Sequence, residues 1–240
     1  RIILQLFPLG KGVWGVEDNK PDCIQKLREL TAGEDRMTVV PLMTKYPQGG
    51  ERQLIYAVTG RSINSKMLPA DVGCIVDNVE TIVAIYHAVK LGQPLTNRIF
   101  TVTGDAVCEP RNFYISIGTS YQELLEAAGG LIKPAKKMIS GGPMMGFALF
   151  DLDVPTTKTT SALLCMTEDE ASKYETTACI NCGRCVEACP EQLVPSRLAD
   201  FSAHGQKDMF EKWYGLECVE CGSCSYVCPA KRQLKQAIGS

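Results

Sequence analysis

The segment CINCGRCVEACP, from Cys179 to Pro190, returns without a change of spacing as CVECGSCSYVCP, from Cys218 to Pro229. Each run reads C-x2-C-x2-C-x3-C-P. Gaps of two residues let one tight loop point three sulfurs inward, as three irons of a cubane cluster require, and the fourth ligand must then come from elsewhere. In chains with two such runs the last cysteine of each ligates the other cluster. One site is therefore expected from Cys179, Cys182, Cys185 and Cys228, and the other from Cys218, Cys221, Cys224 and Cys189. Gly183 and Gly222, each directly after the second cysteine of its run, suit places where backbone amides approach the inorganic core and donate to sulfur.

C-x2-C pairs also bind zinc, but zinc takes four ligands and does not require two four-cysteine runs that each end in C-P. Small two-cluster ferredoxins join their runs by a short β-rich segment, whereas 28 residues lie between Cys189 and Cys218 here. Leu198, Phe201, Phe210 and Trp213 fall in that stretch at helical spacing, which predicts a helical variant of the module with an apolar floor under the clusters. Cys23, Cys74, Cys108 and Cys165 are scattered through apolar stretches and read as ordinary buried thiols. His87 and His204, the only histidines, have no partner in register and read as structural.

Twelve cysteines in 240 residues without a signal-like start argue for a reducing compartment rather than a disulfide framework. Lysines and arginines number 25 against 27 acids, so no basic field favours nucleic acid, which is not expected as a partner. No apolar run approaches the roughly 18 residues of a membrane span. The chain opens without an initiator methionine, which suits a piece of a longer polypeptide.

N-terminal to the cysteine runs the pattern alternates. Ile2 to Phe7 and Val13 to Val16 read as strands, Asp22 to Leu30 as a helix, and Thr38 to Met43 as a buried strand. The turn Pro47-Gln48-Gly49-Gly50 leads into a helix reaching Val58, and Asn78 opens another that stops at Gly92. This is an α/β layer pattern. From Arg98 come strands at Ile99 to Thr103 and Phe113 to Ile117, a helix from Tyr121 to Ala128 capped by Thr119 or Ser120, and a strand near Lys136 to Ile139. Together they predict a small β-grasp-like module, followed by a polar linker from Pro155 to Ser161. The expected domains are residues 1–97, 98–160 and 161–240.

The two cysteine runs, preceded by GGPMMGF, TVTGDAV and DVGCIVDNVETIVAIYHAV, closely resemble RnfC (RsxC), the C subunits of Rnf ion-translocating electron transport complexes. The resemblance covers essentially the whole chain. It implies a Rossmann-like α/β domain for FMN and NADH, related to the NADH-binding flavoprotein subunit of respiratory complex I, then a β-grasp soluble-ligand-binding domain and a ferredoxin domain with two [4Fe-4S] clusters. An N-terminal portion of the family lies outside these residues.

In the complex I relative, flavin and nicotinamide lie against an acidic turn after a strand, a Tyr-x-x-Gly-Glu-Glu helix start and an Asn-Val-Glu-Thr segment. The resemblance carries these onto Glu17 and Asp18, onto Tyr46, Gly49, Gly50 and Glu51, and onto Asn78. Gly49 and Gly50 at a helix start can bring amides to a phosphate or flavin edge, and Glu17, Asp18 and Glu51 can accept from ribitol, ribose or carboxamide groups. The sequence departs from the pattern in three places: Gly50 and Lys20 replace acidic residues, no phenylalanine follows Lys66, and the glycine-rich flavin loop does not occur. This stretch alone is not expected to be active.

The resemblance implies an oxidoreductase subunit exchanging electrons between NADH, FMN and two clusters, with the other Rnf subunits, the iron-sulfur B subunit among them, as partners. It also implies a peripheral position on the cytoplasmic face of the bacterial cell membrane, held by protein contacts. A soluble flavoprotein serving a dedicated reductase and a non-enzymatic ferredoxin-like carrier are the alternatives. The β-grasp segment, which has no clustered polar chemistry, is expected to mediate contacts.

Overall fold

Ile2–Leu6 forms a short helix, α1, in the computed structural model, which describes residues 1–239. The strand expected here is thus corrected. Nη1 of Arg36 accounts for the coil: it donates hydrogen bonds to the carbonyls of Leu4, Phe7 and Pro8 at 3.1, 3.1 and 3.0 Å, and three carbonyls gathered on one donor curl the chain. The strand β1 (Gly12–Glu17), the helix α2 (Pro21–Thr31) and the strand β2 (Met37–Leu42) follow as a β-α-β unit. β1 and β2 run parallel, with Gly12 opposite Met37 and Glu17 opposite Leu42. Pro21 starts α2 where a missing N–H costs nothing, and Ile24 is the residue that α2 buries. The helix α3 (Glu51–Thr59) buries Ile55 and lays Leu54 and Val58 across Gly15 of β1. The helix α4 (Val79–Leu91) buries none of its residues.

These elements make up most of the first of two compact units, Arg1–Lys90; the second is Leu91–Ser240. In the second, the strands β3 (Asn97–Thr103) and β4 (Arg111–Ser116) pair antiparallel, and the helix α5 (Tyr121–Ala127) follows. Ser120 caps α5, with its hydroxyl accepting from Glu123 N–H while the Glu123 carboxylate accepts from Ser120 N–H. The strands β5 (Lys137–Ser140), β6 (Phe147–Leu149) and β7 (Ala162–Met166) complete a five-stranded sheet in the order β4-β3-β7-β5-β6. β7 lies between β3, to which it is parallel, and β5, to which it is antiparallel.

The core of this module is Phe100, Val102, Leu163 and Cys165 from β3 and β7, covered by Tyr121, Leu124 and Leu125 from α5. Tyr121 meets Phe100 edge to face at 5.5 Å and shares a hydrogen bond of 2.6 Å with Ser140, so its buried hydroxyl is satisfied. Gly104 explains part of the TVTGDAV segment: its φ is +122°, and a Cβ there would lie 1.9 Å from the carbonyl oxygen of Cys165. Pro155 to Ser161 is not the free linker expected. Thr156 is buried, its N–H donates to Thr119 O, and its carbonyl accepts from Gly118 N–H, both at 2.9 Å.

The remaining elements are helical: α6 (Arg184–Glu187), α7 (Pro195–Ala203), α8 (Lys207–Lys212), α9 (Ser223–Tyr226) and α10 (Leu234–Ile238). Leu193, Leu198, Ala199, Leu234 and Ile238 form their apolar centre, with Phe201, Phe210 and three cysteines packed against it. Trp213 stands at its margin, edge to face with Phe201 at 5.7 Å.

Candidate functional site

Each cysteine run makes a loop, one turn of helix and a second loop, and the two copies share backbone conformation as well as spacing. Positive φ occurs at Asn181, Gly183 and Gln192 in the first and, 39 residues later in each case, at Glu220, Gly222 and Lys231 in the second. Gly183 and Gly222, at φ +79° and +82°, initiate α6 and α9. A left-handed residue there reverses the chain between the second and third cysteines, which turns both sulfurs to one side.

The consequence is two cavities. One is lined by Cys179, Cys182, Cys185 and Cys228, the other by Cys189, Cys218, Cys221 and Cys224. The last cysteine of each run therefore stands with the first three of the other. Among the described residues no group of three His, Cys, Asp or Glu side chains is drawn together as around a single metal ion. Four thiols spaced around a cavity are the donor set that a cubane cluster takes, and soft thiolates suit the irons of such a cluster.

The two cavities differ in burial and charge. Cys179 and Cys182 are exposed, whereas Cys221 and Cys224 are buried. Burial pushes the thiols of Cys189 and Cys218 up, and that of Cys224 up to about 11. Metal binding at these positions must therefore release protons. Backbone amides already point at two of the sulfurs: Glu220 N–H donates to Cys218 Sγ and Leu193 N–H to Cys189 Sγ, each at 3.4 Å. Beside the first cavity, Arg232 donates to Asp200 Oδ1 at 2.7 Å. Asp200 first, and then the Cys179 sulfur, hold that guanidinium in its charged form.

The residues assigned to flavin and nicotinamide fall in the first unit. Glu17 ends β1, and Asp18 follows it at the carboxyl edge of the parallel pair, where open α/β sheets bind ligands. The Asp18 carboxylate accepts from the Thr44 hydroxyl at 2.6 Å and from Thr44 N–H at 3.1 Å, which hold its carboxyl below the usual carboxylate range. Lys20 donates to Glu17 at 2.8 Å and to Asn19 at 2.9 Å. Tyr46 is about half exposed, Gly49 borders open space, and Gly50 caps α3, which begins at Glu51. Asn78 acts locally, its Oδ1 accepting from Glu80 N–H at 2.9 Å at the start of α4.

Residues 1–87 match the family model of the Nuo51 FMN-binding domain, 99–148 that of the SLBB domain, and 178–232 that of the 4Fe-4S dicluster domain. The C subunit of the proton-translocating ferredoxin:NAD(+) oxidoreductase complex of Clostridium ljungdahlii is 45% identical over 88% of this chain and 46% of its own length. The C subunit of the Na(+)-translocating complex of Acetobacterium woodii is 45% identical over 99% of this chain and 54% of its own. That of the ion-translocating oxidoreductase complex of Cronobacter sakazakii is 39% identical over 87% and 27%. Over most of its length the chain is RnfC-like.

The RnfC-like chain spans about half the length of the first two of these relatives. Its fold is shared with a chain of an NAD+-reducing [NiFe]-hydrogenase, at a TM-score of 0.58 over 95% of this chain and 49% of the other, with 15% identity. The matched family models name two cofactor classes, FMN and 4Fe-4S clusters. Sequence reasoning missed Arg232, Asp200 and Lys235 around the cysteines, because a single charge, whether in a loop like Arg232 or on the polar face of a short helix like Asp200 and Lys235, carries no signal of what it will face. It also missed that the GGPMMGF loop reaches the second run, where a Cβ on Gly222 would sit 3.4 Å from the Met144 carbonyl. Of the four scattered cysteines Cys165 is buried, but Cys23 and Cys108 are exposed, a correction to the expectation that all four are core thiols. Cys23 lies in the first turn of α2 beside Ile24, the residue that the helix turns inward.

Proposed function

We propose that this RnfC-like chain is the electron-transfer portion of a subunit of a ferredoxin:NAD oxidoreductase complex coupled to cation translocation. In this reading Cys179, Cys182, Cys185 and Cys228 hold one [4Fe-4S] cluster, and Cys218, Cys221, Cys224 and Cys189 hold the other. The observation that carries it is the crosswise sharing of the two cysteine cavities, on a chain whose relatives are named as such subunits. Glu17, Asp18, Tyr46, Gly49, Gly50, Glu51 and Asn78 form the part of the FMN and NADH site that lies in this chain. Asp18, held ionised by Thr44, is oriented as an acceptor at the strand edge.

FMN and the clusters, when bound, supply the exchange of a hydride for single electrons. The protein orients them, donates to sulfur from the Glu220 and Leu193 amides, and keeps water from Cys221 and Cys224 by burial. Other members of the complex, including its iron-sulfur B subunit, are the proposed partners. Among the described residues no helix is long and apolar enough to cross a membrane. We place the chain peripherally on the cytoplasmic face, held by those partners.

Iron, sulfide and flavin measured per chain after anaerobic reconstitution test the reading, together with the change in cluster absorbance on adding NADH to flavin-loaded protein. Two clusters and bleaching by NADH are expected. Zinc in place of iron, or bound flavin with clusters that stay oxidised, would overturn it.

A further inference from the structure

The two cysteine cavities are related by the sequence repeat, yet the charges around them are not. Arg197 and Arg232 line the first, with no carboxylate among its lining residues. Glu191, Glu220 and Lys235 line the second, and Lys235 is paired with Glu220 at 2.9 Å. The first is thus a cationic rim and the second a net anionic one. The sharpest difference is at one repeat position: Leu193 in the first copy corresponds to Arg232 in the second, 39 residues on. The crossing of the chain brings each of these residues to the cavity that its own run completes with a fourth cysteine, so Leu193 borders the second cavity and Arg232 the first. The Arg232 side chain is only 23% exposed and is fixed by Asp200 at 2.7 Å. It is a located charge rather than a solvated one.

We infer that Arg232 makes the two cluster sites inequivalent, raising the reduction potential of the cluster at Cys179, Cys182, Cys185 and Cys228 above that of the other. This rests on the proposed occupancy of both cavities by [4Fe-4S] clusters. Reduction adds one negative charge to a centre already bearing four thiolates. A guanidinium beside the sulfurs stabilises that charge, and the net negative rim of Glu191, Glu220 and Lys235 opposes it. Solvent access acts in the same direction, because two of the first site's four cysteines, Cys179 and Cys182, are exposed and none of the second site's is, and burial disfavours the more highly charged state. Asp200 offsets part of the field of Arg232 but holds the guanidinium in place, so it is the positioning residue of the pair.

The test is an equilibrium redox titration of the anaerobically loaded protein followed by electron paramagnetic resonance, with Cys182→Ser and Cys221→Ser each removing one signal to assign the other. At a common potential the ratio of reduced to oxidised cluster is expected to be at least about tenfold higher at the first site, which is ~59 mV for one electron. Arg232→Leu, which installs the residue found at the equivalent position of the other copy, should lower that ratio about tenfold at the first site and leave the second nearly unchanged. Arg232→Lys, which keeps the charge, should shift it less and guards against a leucine variant that fails to load. A first site no higher than the second, or two sites moved equally by Arg232→Leu, would overturn the inference. Absence of iron and sulfide in the unaltered protein would instead overturn the reading on which it rests.

Discussion

Cys189 shares a cavity with Cys218, the first cysteine of the other run, and not with the three cysteines that precede it in its own. Pairs of serine substitutions expose this relationship. Cys189→Ser combined with Cys218→Ser removes two ligands from one site, so the double variant should keep about half of the iron. Cys189→Ser combined with Cys179→Ser strikes both sites and should lose nearly all of it. Iron and sulfide assays on the two proteins give the opposite ranking if each run instead holds its own cluster.

Gly104 tolerates no side chain. With φ at +122° and the Cys165 carbonyl oxygen 1.9 Å from where a methyl group would stand, Gly104→Ala must move β7 away from β3 or force the carbonyl out of the sheet. A loss of about 3 kcal/mol or more is expected from strain and displacement together. Denaturant unfolding would show it as a lower midpoint, and a change below about 1 kcal/mol would contradict the close approach.

Leu163 is fully buried at the centre of the sheet, between β3 and β5. Leu163→Ala leaves a cavity that flanking strands cannot collapse into, and should cost about 2–5 kcal/mol. Phe150, fully exposed, is the control: Phe150→Ala should change stability by no more than about 0.5 kcal/mol. Thermal or denaturant unfolding monitored on both variants distinguishes the two sites.

The link between Asp18 and Thr44 predicts a pH effect in the first unit. A carboxyl whose folded pKa lies below its unfolded value stabilises the fold above the unfolded pKa and loses that contribution as pH falls through the folded one. Asp18 is such a group, held down first by the Thr44 hydroxyl and then by the Thr44 amide. Thr44→Val removes the hydroxyl and leaves the amide, so the Asp18 midpoint in an NMR titration should rise part of the way to its ordinary value. The part of the stability difference that comes from Asp18 should be full near neutrality and vanish in acid, leaving only the pH-independent loss of the Thr44 hydroxyl as acceptor for Asn19 N–H. An unmoved midpoint would show that the hydroxyl does not act on the carboxylate.

The eight cysteines at their spacing, the α/β alternation of the first unit, and a hydroxyl cap of α5 at Thr119 or Ser120 were legible from residue order alone, and the structure selects Ser120. Each is a local matter: sulfurs on one loop, apolar residues on one helix face, a hydroxyl three residues from a carboxylate. α1 was misread because its coil depends on Arg36, a residue from the far side of β1 and α2. β7 was missed because a run of five apolar residues reads equally as a buried strand or a helix segment until β3 and β5 flank it. Tertiary structure alone decided that Arg232 stands at one cavity and Leu193 at the other. Two copies of one motif have the same short-range geometry, and only folding the chain back across itself sets which distant charges each copy meets.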